Sequence, residues 1–145
     1  MSPTKKESTT GNFSAEERAA MKEYAAELQK QKRRRGSADK AALDLADQLE
    51  KIASLAGEDR VMAEKVHEIV TAVAPQLAPK TWYGMPAYYR DGKPIVFFQP
   101  AAKFKARYAT LGFNDGALLD DGAMWPTSYA LTTLGPNEEA AIAEV

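Results

Sequence analysis

Residues 81–98 read TWYGMPAYYRDGKPIVFF, two apolar runs joined by Asp91-Gly92. Asp-Gly between such runs is a strong hairpin signal, because both central turn positions favour φ > 0. A two-residue turn pairs Tyr88 with Ile95 and Pro86 with Phe97, and gathers Ala87, Tyr89, Val96 and Phe98 on the opposite face. Both faces are then apolar, so the hairpin requires covering layers and most of its rings belong to a core. Pro94 has no N–H to donate, which places it at a sheet edge or a bulge.

The preceding sequence supplies helices to cover such a sheet. Ser14-Ala15-Glu16-Glu17 fits a capping box with Phe13 as its staple, and Met21, Tyr24, Ala25 and Leu28 share one face of a helix over about 14–31. Lys30, Lys32, Arg33, Arg34 and Arg35 follow at its end, where cations complement exposed carbonyls, and Gly36 is a stop signal. Ser37 opens a second helix with Leu45, Leu49, Ile52 and Ala56 as its stripe, closed by Gly57. A third carries Met62, Val66, Ile69, Val70 and Val73 and ends at Pro75. These two helices read as a helical hairpin.

Beyond the β-hairpin, Lys103 to Phe113 alternates Lys103, Lys105 and Arg107 with Phe104, Ala106 and Tyr108, predicting a strand with one cationic face. Asn114-Asp115-Gly116 and Asp120-Asp121-Gly122 bracket one short helical turn at Ala117–Leu119. Ser128–Leu134 is a last strand, and Pro136 begins a closing helix that reaches Val145, past which the natural chain either stops or continues. Residues 1–12 are polar and aperiodic, the composition of a disordered tail. Residues 13–36 read as a helical extension with a basic end, and 37–145 as the main domain.

At 145 residues, folding buries roughly 68–70% of the unfolded chain's surface, so no metal or disulfide is needed for stability. Zero Cys removes disulfides, thiolate nucleophiles and Cys-ligated clusters together. No apolar run approaches the ~20 residues of a membrane span, and MSPTKKESTTGN leads into no apolar signal core, so the expected compartment is the cytoplasm. Gly-x-Ser-x-Gly, Gly-x-Gly-x-x-Gly and Gly-x-x-x-x-Gly-Lys are all absent, which argues against an enzyme of those classes.

Two sets of side chains are candidate sites. Trp82, Tyr83, Met85, Tyr88 and Trp125, with Lys105 and Arg107 from the cationic strand, could line a partly polar pocket for a small molecule or anion. The bland alternative is packing, since eleven of the thirteen aromatic residues lie between Trp82 and Tyr129 and a small sheet needs large side chains to fill its core. The KRRR run and the cationic strand also suit a nucleic-acid backbone, although edge lysines commonly guard against aggregation, and nucleic acid is not the expected partner. Glu64 and His67 form a Glu-x-x-His pair at i, i+3; a single His leaves that pair short of a carboxylate-bundle metal site.

Trp82-Tyr83-Gly84-Met85-Pro86-Ala87-Tyr88, Asp91-Gly92-Lys93, the Phe97-Phe98 strand, Ala74-Pro75 and Trp125-Pro126 together resemble the YdhG-like family over about residues 40–145. The resemblance implies an α+β fold, a curved antiparallel sheet packed by helices as a frataxin-like two-layer sandwich, here with an extra N-terminal helix. It further implies a non-enzymatic iron chaperone that holds Fe2+ weakly through exposed carboxylates and delivers it to iron–sulfur assembly proteins. Asp44 and Asp47 at i, i+3, and Glu64 and Glu68 at i, i+4 with His67 between them, are the acidic helix residues that fit this outline.

Overall fold

The structure, a computed structural model, describes residues 12–145. Apart from Asn12, the tail expected at 1–12 lies outside the described residues. Helices α1 (Ala15–Arg34), α2 (Lys40–Ala53) and α3 (Gly57–Val73) precede strands β1 (Ala78–Trp82), β2 (Met85–Arg90), β3 (Lys93–Gln99), β4 (Ala109–Phe113) and β5 (Ser128–Leu131); helix α4 (Pro136–Glu144) follows. The strands form one antiparallel sheet in chain order, so the fold is α+β. No described helix is long and apolar enough to cross a membrane.

Local chemistry explains the helix limits. The Ser14 hydroxyl accepts from the Glu17 amide at 3.0 Å and the Glu17 carboxylate accepts from the Ser14 amide at 2.8 Å, the expected capping box. Past α1, Gly36 turns the chain at φ +77°. Residues 37–39 form a turn, so α2 opens at Lys40 and not at Ser37. The third helix ends at Val73, ahead of Pro75.

The hairpin turns at Asp91 (φ 52°) and Gly92 (φ 77°), the two left-handed positions expected. Its register differs from the sequence reading by one residue. Tyr89 faces Pro94, but Tyr88 faces Val96 and Ala87 faces Phe97, so Ile95 is the extra residue of a bulge. The bulge sets Tyr88, Val96 and Phe98 on one face and Ala87, Tyr89 and Phe97 on the other, and β1 and β4 flank the hairpin inside the sheet. A second two-residue turn, Tyr83 (φ 52°) and Gly84 (φ 76°), separates β1 from β2 and adds a strand that the sequence reading merged into one.

The core lies between one sheet face and the helices: Tyr88, Val96, Phe98, Ala109, Leu111 and Leu131 pack against Met62, Ala63, Val66 and Val70 of α3 and Ile52 of α2. The stripe of α2 is different from the expected one. Asp44, Gln48 and Ile52 are buried while Leu49 and Ala56 are exposed, because the Gln48 amide donates to the Lys80 carbonyl at 2.9 Å and the Ala87 carbonyl at 2.7 Å. Helix α1 likewise leaves Met21 and Leu28 exposed and docks through Ala20, Glu23, Tyr24, Glu27, Gln31 and Arg34. Hydrophobic periodicity cannot register a docking surface built from hydrogen bonds.

The cationic strand expected at 103–113 shrinks to 109–113. Pro100 ends the pairing, and the Asp59 carboxylate accepts from the Ala101 and Ala102 amides at 3.0 Å each, coiling Ala101–Phe104 into a 3-10 turn that Lys105 exits at φ 55°. The last strand stops at Leu131, three residues short of the expected Leu134, and 117–119 is a turn without helix.

Gly112 sits opposite Phe97, and a Cβ there would overlap the Phe97 ring. Gly112→Ala is expected to displace that ring from Trp82 and cost about 1–3 kcal/mol, the usual range for overpacking. Thermal unfolding with Trp fluorescence checks it; unchanged stability and emission would contradict this packing.

Candidate functional site

The site is built by the way α1 grips the β1–β2 turn. In the left-handed pair Tyr83-Gly84 both amides point the same way, and the Glu27 carboxylate accepts both at 2.8 Å. Tyr24, three residues earlier on α1, stacks on the Tyr83 ring at 4.1 Å and 8°. Gly84 is required twice over: its φ is +76°, and a Cβ would overlap the Glu23 carboxylate that packs over it. Burial pushes the Glu23 carboxyl up, but hydrogen bonds from Lys103 (2.7 Å) and Lys51 (2.8 Å) outweigh it and hold the group below its ordinary value.

The clasp encloses a cleft of about 350 Å³ between α1, the start of α2 and β1–β3, walled by Tyr24, Gln31, Arg35, Lys40, Trp82 and Tyr89, with Lys80 in its lining. Behind it is a buried charge network. Asp44, only 3% exposed, accepts from Lys40 (2.7 Å), Arg34 (2.8 Å) and Gln31 (3.0 Å). Arg34 also reaches Asp47 at 2.8 Å. Burial opposes ionisation of Asp44, yet these donors hold its carboxyl below the ordinary range.

Lys80 stands apart. Its ammonium lies 4.6 Å over the Tyr89 ring and 3.4 Å from the Gln31 side-chain oxygen, and it forms no ion pair among the described residues. Burial first, and then the like charge of the Lys40 ammonium beside it, push its pKa down to about 8, with only Asp44 opposing. A half-buried cation without a carboxylate, next to a second cation and under aromatic rings, is a place where an anion would be stabilised.

The residues singled out in the sequence are scattered. Trp82 lines this cleft, and Tyr83 is at its rim with its ring and amide taken up by α1. Met85 and Tyr88 are buried at 5% and 1% exposure, and the Tyr88 hydroxyl meets His67 Nδ1 at 3.0 Å on the helix-covered face. Lys105 pairs with Glu16 at 3.1 Å, Arg107 lies exposed over Tyr108 at 5.3 Å, and Trp125 sits half-buried in the β4–β5 loop; none of the three lines the cleft.

The acidic set does not converge. Asp44 and Asp47 are engaged by Arg34, Lys40 and Lys30, Glu64 pairs with Arg60 at 3.1 Å, and Glu68 is exposed. Among the described residues no group of three or more His, Asp or Glu could hold a metal ion. Lys80, Lys40, Tyr24, Gln31 and Tyr89 were missed because they come from four elements spread along the sequence. The alternation Ala78, Lys80, Trp82 along β1 was the one signal that could have placed Lys80 beside Trp82.

His67 supplies an isolated test of the core. Burial holds its imidazole below the ordinary value, with Glu68 opposing more weakly. The unfolded chain therefore takes up the proton first as pH falls, and stability drops below about pH 6.5. The lowered carboxyls lose their contribution only below about pH 4, so the intermediate window reports His67. Melting temperature should fall between pH 6.5 and 5 in the parent and stay flat in His67→Gln; equal slopes would contradict this assignment.

Compared with known proteins, the chain matches no family model, no curated protein and no solved structure.

Proposed function

We propose that the chain is a non-enzymatic binding module, working in the cytoplasm, whose cleft at Lys80 takes a small organic anion carrying a planar ring. The observation that carries this reading is the Lys80 ammonium, partly desolvated and without a carboxylate of its own, beside Lys40 and over Tyr89. Lys80 and Arg35 supply charge beside the Asp44-paired Lys40, Tyr24, Trp82 and Tyr89 supply ring faces for stacking, and the Glu27 carboxylate of the same lining is engaged by the Tyr83 and Gly84 amides. The geometry thus favours the anion-binding alternative over a nucleic-acid surface, since the cationic strand that a nucleic-acid groove would need is absent and Lys105 is spent on Glu16.

Membership of the YdhG-like family is part of this proposal, supported by the residues at 82–88 and 91–93 that resemble it. The iron chaperone role that goes with that resemblance, together with delivery to iron–sulfur assembly proteins, would need a cluster of donors. Of the candidate carboxylates, Asp44, Asp47 and Glu64 are instead paired with cations, and no group of three or more donors forms among the described residues.

A cation placed for binding costs the free fold. Because the folded pKa of Lys80 lies below its unfolded value, the unfolded state binds the proton more tightly, and stability due to this group is regained only as pH rises through about 8. Lys80→Met is therefore expected to keep or raise the melting temperature at pH 7 while weakening anion binding at least about tenfold, the equivalent of roughly 1.4 kcal/mol. Amide-shift titrations with inorganic phosphate, benzoate and adenosine monophosphate check it. In the parent, affinity should decline as pH rises through about 8. Binding untouched by the substitution, or none by any of the three probes, would overturn the reading.

A further inference from the structure

On the helix-covered side of the sheet, across it from the Lys80 cleft and at the same end of β2 and β3, lies a second concavity of about 280 Å³ between α3, α4, β3, β4 and the loop after β4. Its walls are apolar: Ile69 and Val73 of α3, Ile95 of the β3 bulge, Leu118 of the loop and Ile142 of α4 are among them. Val73 is 57% exposed and Leu118 82% exposed, a large amount of apolar surface for one small region to leave in water. Helix α4, which forms one wall, has no buried residue of its own and is tied down by Lys65, which donates to the Leu134 carbonyl at 2.9 Å and pairs with Glu139 at 3.4 Å.

Arg90 is the single charged side chain in the lining. It shares a sheet face with Tyr88, which sets it on the groove side of β2. One of its terminal nitrogens donates to the Gly116 carbonyl at 2.7 Å, which fixes the guanidinium at the rim. That bond leaves the other N–H donors of the fork uncommitted, and Arg90 forms no ion pair among the described residues. A held guanidinium with open donors matches a carboxylate in shape and charge.

We propose that this groove is a separate binding site for a small amphipathic carboxylate, its hydrocarbon part lying between α3, α4 and Ile95 and its carboxylate on Arg90. The volume, near the lower end of the roughly 300–1,000 Å³ usual for small-ligand sites, suits a short chain or single ring. The single cation at one end orients such a ligand head outward. An apolar recess left unfilled would forfeit contacts that the surrounding side chains could otherwise make, so occupancy should also stabilise the fold.

The test uses the full chain with methyl and amide resonances recorded during titration with sodium octanoate, octylammonium and 1-octanol. Octanoate is expected to shift Ile95, Leu118 and Ile142 methyls saturably, to bind at least about tenfold more tightly than octylammonium, and to raise the melting temperature. Arg90→Met should bring octanoate down to the affinity of octanol, and Val73→Trp, which fills the groove from an exposed position, should block all three. If Val73→Trp proves unfolded, the Arg90→Met comparison decides. Absence of groove shifts, equal affinity for octanoate and octylammonium, insensitivity to Arg90→Met, or ligand-free shifts of the same methyls with protein concentration would each overturn the proposal, the last by assigning the groove to a second copy of the chain.

Discussion

The Glu27 carboxylate, accepting the amides of Tyr83 and Gly84, is the contact on which the rest of the architecture depends. Hydrogen bonds to a charged group are worth about 1.5–3 kcal/mol each, more than a neutral pair, and here two converge on one side chain. They satisfy a turn whose left-handed conformation aims its N–H groups outward, and they bring α1 against the sheet without an apolar seam. The Tyr24–Tyr83 stack and the Glu23 packing over Gly84 follow from that approach. Without α1 in place, the Lys80 cleft would lose Tyr24, Gln31 and Arg35 from its walls.

Around this clasp the molecule divides into two halves of different character. Between α3 and the sheet the core is conventional, with Val66 and Phe98 at 0% exposure and Tyr88 giving up solvent for one bond to His67. Between α1, α2 and β1 the contacts are polar: Gln48 bridges two sheet carbonyls, and Asp44 gathers three donors. Removing one partner from such a buried network strands the others, so it fixes geometry more than it adds net stability. Three cations and two carboxylates in that network leave Lys80, the fourth cation, uncompensated. The proposed anion would supply the missing charge.

Sequence periodicity served well where burial is apolar. The helix stripe ending at Pro75, the Ser14 capping box and the Asp91-Gly92 turn all stand where local rules put them. It failed where a single residue redirected the chain. Ile95, inserted beside a proline that cannot donate, reversed the facing of Val96 and Phe97 relative to Tyr88. The Asp59 carboxylate, 42 residues away in sequence, capped a 3-10 turn where alternation implied a strand. The Tyr83-Gly84 turn carries a weaker signal than Asp-Gly, so two strands were read as one, and with them the segment's meaning changed: Gly84 is a docking point for α1. Of the candidate pocket only Trp82 and the rim position of Tyr83 were legible, because its cations come from residues 35, 40 and 80, which share no local pattern.

The central claim is electrostatic and can be read at one atom. Titration of the Lys80 side-chain resonance, assigned in the isotopically labelled chain, measures it with and without a bound anion. The account predicts a midpoint near 8 in the free protein and a rise toward the ordinary value of about 10.4 as benzoate or phosphate saturates the cleft. A midpoint already near 10.4 in the free protein, unmoved by either anion, would contradict it.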